Sequence, residues 1–145
     1  MGQTILTILI GLLGGVCVGV QSPLAGKISE KVGGAASSLV VHLSGTVLSL
    51  VLLMIRGGEQ IRNWRSLTWY MLASGAFGLI LYLTLSHTLP RLGAAAAVSL
   101  IIVGQLIGGL VIDQFGLFGV PIQSITPERM LAMVLLIAGG VLMTK

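Results

Sequence analysis

The chain has 145 residues, 55% hydrophobic and 8% charged, with a mean hydropathy of +1.06. An ordinary soluble domain is about 25% charged, so this composition excludes a soluble globular protein, and its apolar content excludes a disordered one. The net charge of +4 comes from eight Lys and Arg set singly at the ends of apolar runs, which makes no basic patch and argues against nucleic acid as a partner.

What remains is an all-α integral membrane protein. A span takes about 20 mostly apolar residues, so five spans use about 100 and leave about 45 for loops, with no room for a soluble domain. Residues 1–145 therefore read as a single transmembrane domain.

Span 1 is expected over 4–24. No Lys or Arg precedes its apolar stretch, which argues against a signal peptide. Val16, rather than a small residue, precedes Cys17, which argues against a lipoprotein site, and the segment reads as a retained span. Cys17 is the sole cysteine, so an intrachain disulfide is impossible and a cysteine metal cluster is excluded. Helix is expected to continue past Lys27 and Glu30 to Lys31, with Gly33-Gly34 as the stop.

Span 2 is expected over 36–55. The loop over 56–66 holds Arg56, Glu59, Arg62 and Arg65, the densest charge in the chain. Span 3 is expected over 67–89, with Trp64, Trp69 and Tyr70 marking its start as an interfacial aromatic belt. Pro90-Arg91 reads as a very short connection to span 4, over 93–112. A Gly/Pro-rich loop over 113–127 leads to span 5, over 128–144. Thr126 reads as the cap of that helix and Pro127 as its first residue.

Five spans put the termini on opposite sides of the membrane. One side then carries Arg56, Arg62, Arg65 and Arg129, and the other Lys27, Lys31, Arg91 and Lys145, four on each. The positive-inside rule orients a protein by its excess of Lys and Arg, and here there is none. A chain that inserts both ways up makes an antiparallel homodimer available, with ten helices in the inverted-repeat plan of many secondary transporters. The alternative is an accidental balance with one dominant orientation.

Lipid gives no hydrophobic drive for helix association, so small residues matter for packing. Gly11, Gly15 and Gly19 repeat at four-residue spacing in span 1, and Gly104 and Gly108 do so in span 4, with Gly109 adjoining. Both sets read as helix-packing positions, the span 4 pair as a dimer contact.

Polar groups inside the bilayer are expensive and are functional candidates by default. In span 2, Ser38, His42, Gly45, Thr46 and Ser49 fall on one helical face, which must meet protein or a wet cavity. His42 is its one titratable member. It reads either as a protonation switch or substrate contact, or as a neutral interhelical hydrogen-bond partner. Gln105 in span 4 and Gln21 before Pro23 in span 1 read equally as pathway-lining residues or as interhelical partners. Asp113 is the one carboxylate next to the membrane core. It reads as a proton or cation site, or as a residue of the turn Asp113-Gln114-Phe115-Gly116. His87 reads as interfacial. The histidines and acids lack metal-ligand spacing, and no phosphate-cradling loop or nucleophile elbow is present. The sequence predicts neither an enzyme nor a cofactor.

Two groups of residues carry a family resemblance over nearly the whole chain. One is Gly19-Val20-Gln21-Ser22-Pro23-Leu24 with Gly45-Thr46. The other is Pro90-Arg91-Leu92-Gly93-Ala94 with Gly104-Gln105-Leu106, Ile112-Asp113, Phe115-Gly116 and Gly119. Together they resemble the YdcZ-like family of small proteins in the drug/metabolite transporter superfamily. The resemblance implies a five-span inner-membrane protein, characteristically of dual topology, working as a dimer or as a paired or fused ten-span unit. It implies a transporter of an undefined small molecule. The family pattern has Asn where this chain has Ala25, and an aromatic where it has His42. The related small multidrug resistance proteins couple export to protons through a glutamate in span 1. This chain has no acid there, which disfavours that mechanism and leaves His42 or Asp113 to supply any proton site.

The reading is therefore a secondary transporter working by alternating access as an antiparallel homodimer, or with a paralogous small membrane subunit. Its partners are the lipid bilayer and an unidentified small molecule. Its pathway is expected from Gln21, Ser38, His42, Thr46, Ser49 and Gln105. A dual-topology ion channel and a non-transporting assembly subunit are the rival readings.

Overall fold

The structure is a computed structural model and describes residues 2–145. Five α-helices follow in chain order: α1 Gly2–Val32, α2 Gly34–Ile55, α3 Trp69–Leu72, α4 Gly75–Phe115 and α5 Pro127–Leu142. Short 3-10 turns lie at Ile61–Ser66 and Leu117–Gly119, and no strand occurs among the described residues. Helices close their backbone hydrogen bonds within themselves, which lipid demands of anything crossing it. The segments Gly2–Val32, Gly34–Ile55 and Trp69–Phe115 are long and apolar enough to cross. Their outer side chains are bare, with Leu12 at 62% and Leu48 at 71% exposure.

The chain divides into two compact units, Met1–Pro90 and Arg91–Lys145. In the first, α1 runs unbroken through Pro23 to Val32. Ser22 beside that proline turns its hydroxyl back onto the Val18 carbonyl at 2.8 Å. One residue, Gly33, with φ 88° and ψ 159°, joins α1 to α2. Side-chain-bearing residues rarely adopt that conformation, so glycine is needed there. Gly33 closes α1 by donating its N–H to Ser29 and opens α2 by accepting from Ser37. The helices touch near this joint, where Ser22, Ala25, Gly26, Ser37 and Ser38 are buried. The Ser37 hydroxyl donates across to the Ala25 carbonyl at 2.8 Å. Tyr82 and Leu85 of α4 are also buried, and Leu89 lies over Gly26, where a Cβ would meet its Cδ1 at 2.5 Å.

Two boundaries differ from the sequence expectation. Span 3 was expected as continuous helix over 67–89, but a turn at 73–74 separates α3 from α4. There Ser74 and Ala76 bond three residues back, to Met71 and Ala73, in the tighter 3-10 pattern. The connection expected at Pro90-Arg91 lies instead at Gly93. Pro90 stays within α4, whose helical geometry fails at Gly93 with φ 77° and ψ 169°. Proline removes one hydrogen bond, whereas a positive φ turns the backbone out of the helix. The same conformation thus occurs at Gly33 and Gly93. At full helical rise, the 41 residues of α4 would extend about 60 Å, twice the hydrocarbon thickness of a bilayer.

In the second unit, the 94–115 part of α4 packs on α5. A Cβ on Gly140 would lie 3.0 Å from Val103 Cγ2. Thr126 caps α5, its hydroxyl accepting from the Arg129 N–H at 3.4 Å, with Pro127 next. With 16 residues, α5 is about 24 Å long.

Candidate functional site

Each unit holds a polar cluster within otherwise apolar helices. In the first, the α2 face builds it. His42 Nδ1 lies 2.7 Å from the Ser38 carbonyl, with the Ser38 hydroxyl 3.2 Å from the same nitrogen. Nδ1 is thereby tied to Ser38, one turn back on the same helix. The ring meets Tyr82 edge-on, with centroids 5.3 Å apart at 71°. Nε2 lies over Gly78, where a Cβ would stand 2.5 Å from it. Ser38 is buried and His42 open on one side. One turn on, Thr46 donates to the His42 carbonyl at 2.8 Å. Thr46 and Ser49 then line a cleft of about 490 Å³ with Leu50, Leu53, Arg56 and Glu59. Arg56 and Glu59 pair at its rim at 3.0 Å. Gln21 is exposed and has no side-chain hydrogen bond among the described residues.

In the second unit, a cleft of about 300 Å³ opens between the 105–113 stretch and α5. Gln105, Gly109 and Asp113 line one wall at four-residue spacing, hence along one helix face. Arg129, Met133 and Leu136 line the other. Arg129 Nη1 donates to Asp113 Oδ2 at 3.3 Å, and its Nη2 donates to Gln123 Oε1. The Gln123 N–H bonds the Asp113 carbonyl at 2.9 Å, and the Ile125 N–H bonds Gln114 Oε1 at 2.8 Å. The loop is thereby pinned to both helix ends around one ion pair. Asp113 sits in the last turn of α4, which runs on to Phe115, and faces a counter-ion.

Four partners escaped the sequence reading. Ser37 lies off the polar face defined by Ser38 and His42. Tyr82 had a signal, as a polar aromatic within span 3 four residues after Gly78. Arg129 had one too, because a cation in the first turn of a helix opposes the helix dipole and calls for an anion nearby. Gln123, in an irregular loop, had none. The glycine sets Gly11, Gly15, Gly19 and Gly104, Gly108 have open space where a Cβ would be. Among the described residues, no three His, Cys, Asp or Glu gather to hold a metal.

The family described as "Putative inner membrane exporter, YdcZ" matches residues 6–142. The chain belongs to that family, and it is a multi-pass inner-membrane protein. It is 26% identical over 129 residues to Inner membrane protein YdcZ of Escherichia coli (strain K12), covering 83% of each chain. No solved structure matches it. Membership of an exporter family points to a membrane transporter.

Proposed function

We propose that the protein is a secondary transporter of a small molecule, working by alternating access as a dual-topology antiparallel homodimer. Each chain contributes five spans, with α4 counted as two because Gly93 breaks a helix too long for one crossing. The observation that carries the reading is the line from Ser38 through His42 to Thr46 and Ser49. It is a polar track on a membrane helix, ending in an open cleft. Gln21 and Gln105 extend the pathway in this reading, and His42 or Asp113 supplies any proton site. Gly11, Gly15, Gly19, Gly104 and Gly108 are the places for close approach of a second chain, and their empty space supports that role.

Topology is the test. With Cys17→Ser and a single cysteine at Gln60→Cys, an impermeant thiol reagent is applied to cells before and after permeabilisation. Labelling of about half the protein from outside supports dual insertion. Labelling from one side alone removes the antiparallel homodimer and leaves a parallel dimer or a heterodimer with an oppositely oriented partner chain.

A further inference from the structure

The cleft of the second unit has a chemistry of its own. Leu106, Leu110, Met133 and Leu136 give it an apolar body, while Asp113 and Arg129 hold one charge of each sign at its mouth. Both charged side chains keep about a third of their surface open, at 32% and 36%. They are therefore reachable by a ligand from outside. Gly109 has no neighbour within 4 Å of a would-be Cβ, so the floor of the cleft is vacant space. At about 300 Å³ it stands at the small end of ligand pockets, room for one compact molecule.

The geometry points to a site for small zwitterions with an apolar side chain, the α-amino acid pattern. The reason is charge balance. A monoanion that takes Arg129 from Asp113 leaves that carboxylate unpaired beside it. A monocation does the same to Arg129. Either loss leaves one charge without its partner at the mouth of the cleft. A zwitterion brings both signs and replaces the Asp113–Arg129 bond with two bonds of its own. Its ammonium then meets Asp113, its carboxylate takes the Arg129 Nη1 that Asp113 gives up while Nη2 stays on Gln123, and its apolar body fills the space over Gly109. Gln105, two turns down the same face, is the one neutral polar group on the wall. The assignment gives a substrate class to the transporter reading and rests on it only for the consequence of binding.

The test is binding of radiolabelled L-leucine and L-phenylalanine to the purified wild-type protein in detergent. The comparison compounds have the same body without the ammonium or without the carboxylate. The expected result is binding of the zwitterions, with either analogue at least about tenfold weaker. Asp113→Asn and Arg129→Gln each weaken the zwitterions by a similar factor. Gly109→Val keeps both charges, fills the floor and also abolishes binding. If the single charge variants fold poorly, the exchange Asp113→Arg with Arg129→Asp keeps one charge of each sign and retains the preference. No binding of either zwitterion overturns the proposal, as do analogues that bind equally well or variants that bind unchanged. Uptake into proteoliposomes separates the two readings. Binding of the expected pattern without uptake keeps the cleft and sinks the transporter. Uptake indifferent to all these variants sinks the cleft and keeps the transporter.

Discussion

His42 is held by three neighbours of different kinds. The Ser38 carbonyl fixes one nitrogen, Tyr82 braces the ring edge, and the missing side chain of Gly78 makes room for the other nitrogen. Gly78→Ala places a carbon 2.5 Å from Nε2, so the ring must swing away. The expected cost is about 1–3 kcal/mol, the range for overpacking, read as a lower melting temperature in detergent with reduced transport. Gly11→Ala, where nothing lies nearby, is neutral for the isolated chain in the same assay. Ser37→Ala removes the α2-to-α1 hydrogen bond and costs about 0.6–2 kcal/mol, since membrane interhelical bonds are modest. A histidine among leucines stands out in the sequence, and so does a polar stripe at helical spacing. Its bracing was not legible, because Tyr82 lies 40 residues on and only the fold brings it near.

The helices themselves were largely legible, because long apolar runs and glycine stops act within a few residues. The stop at Gly33 and the Thr126–Pro127 start rest on such local chemistry. The break at Gly93 was misplaced to Pro90 because both residues interrupt helices and only the backbone angles tell which one does. Gly93→Ala forces a Cβ into a conformation reserved for glycine, at a cost of about 1–3 kcal/mol. A loss of folded yield, monitored by size-exclusion chromatography, is the expected outcome, with Pro90→Ala milder. The pinned loop gives a second prediction at this scale. Arg129→Gln loses the bonds to Asp113 and Gln123 together. Limited proteolysis is then expected to cut within 116–126 several-fold faster than in the wild type, because exposed backbone opens when its few tethers go.

In the dual-topology reading proposed above, orientation depends on where eight cations fall. Removing two from one side breaks the balance. Arg62→Gln with Arg65→Gln leaves two against four, and Lys31→Gln with Lys145→Gln leaves four against two. Each pair of changes is expected to fix one orientation and to abolish transport alone, because an antiparallel partner is no longer made. Co-expression of the two variants restores it. Recovery fails if the protein works in a single orientation. The positions of the cations were legible from sequence, and the dual topology proposed above rests on them. The Asp113–Arg129 clasp was not legible, since its members lie 16 residues apart across an irregular loop.

The shortness of α5 carries a consequence for the membrane itself. Its 16 residues reach about 24 Å, several ångströms less than a typical hydrocarbon core, while α1, with 31, overreaches it. A long helix adapts by tilting. A short one that spans draws the lipid leaflets inward, extends flanking side chains to the interface or associates with other helices, each at a fraction of a kcal/mol per ångström. In the five-span reading proposed above, the protein is therefore matched to thin bilayers. Reconstituted into phosphatidylcholines of increasing acyl-chain length, its activity is expected to peak at the shorter chains and decline as the membrane thickens.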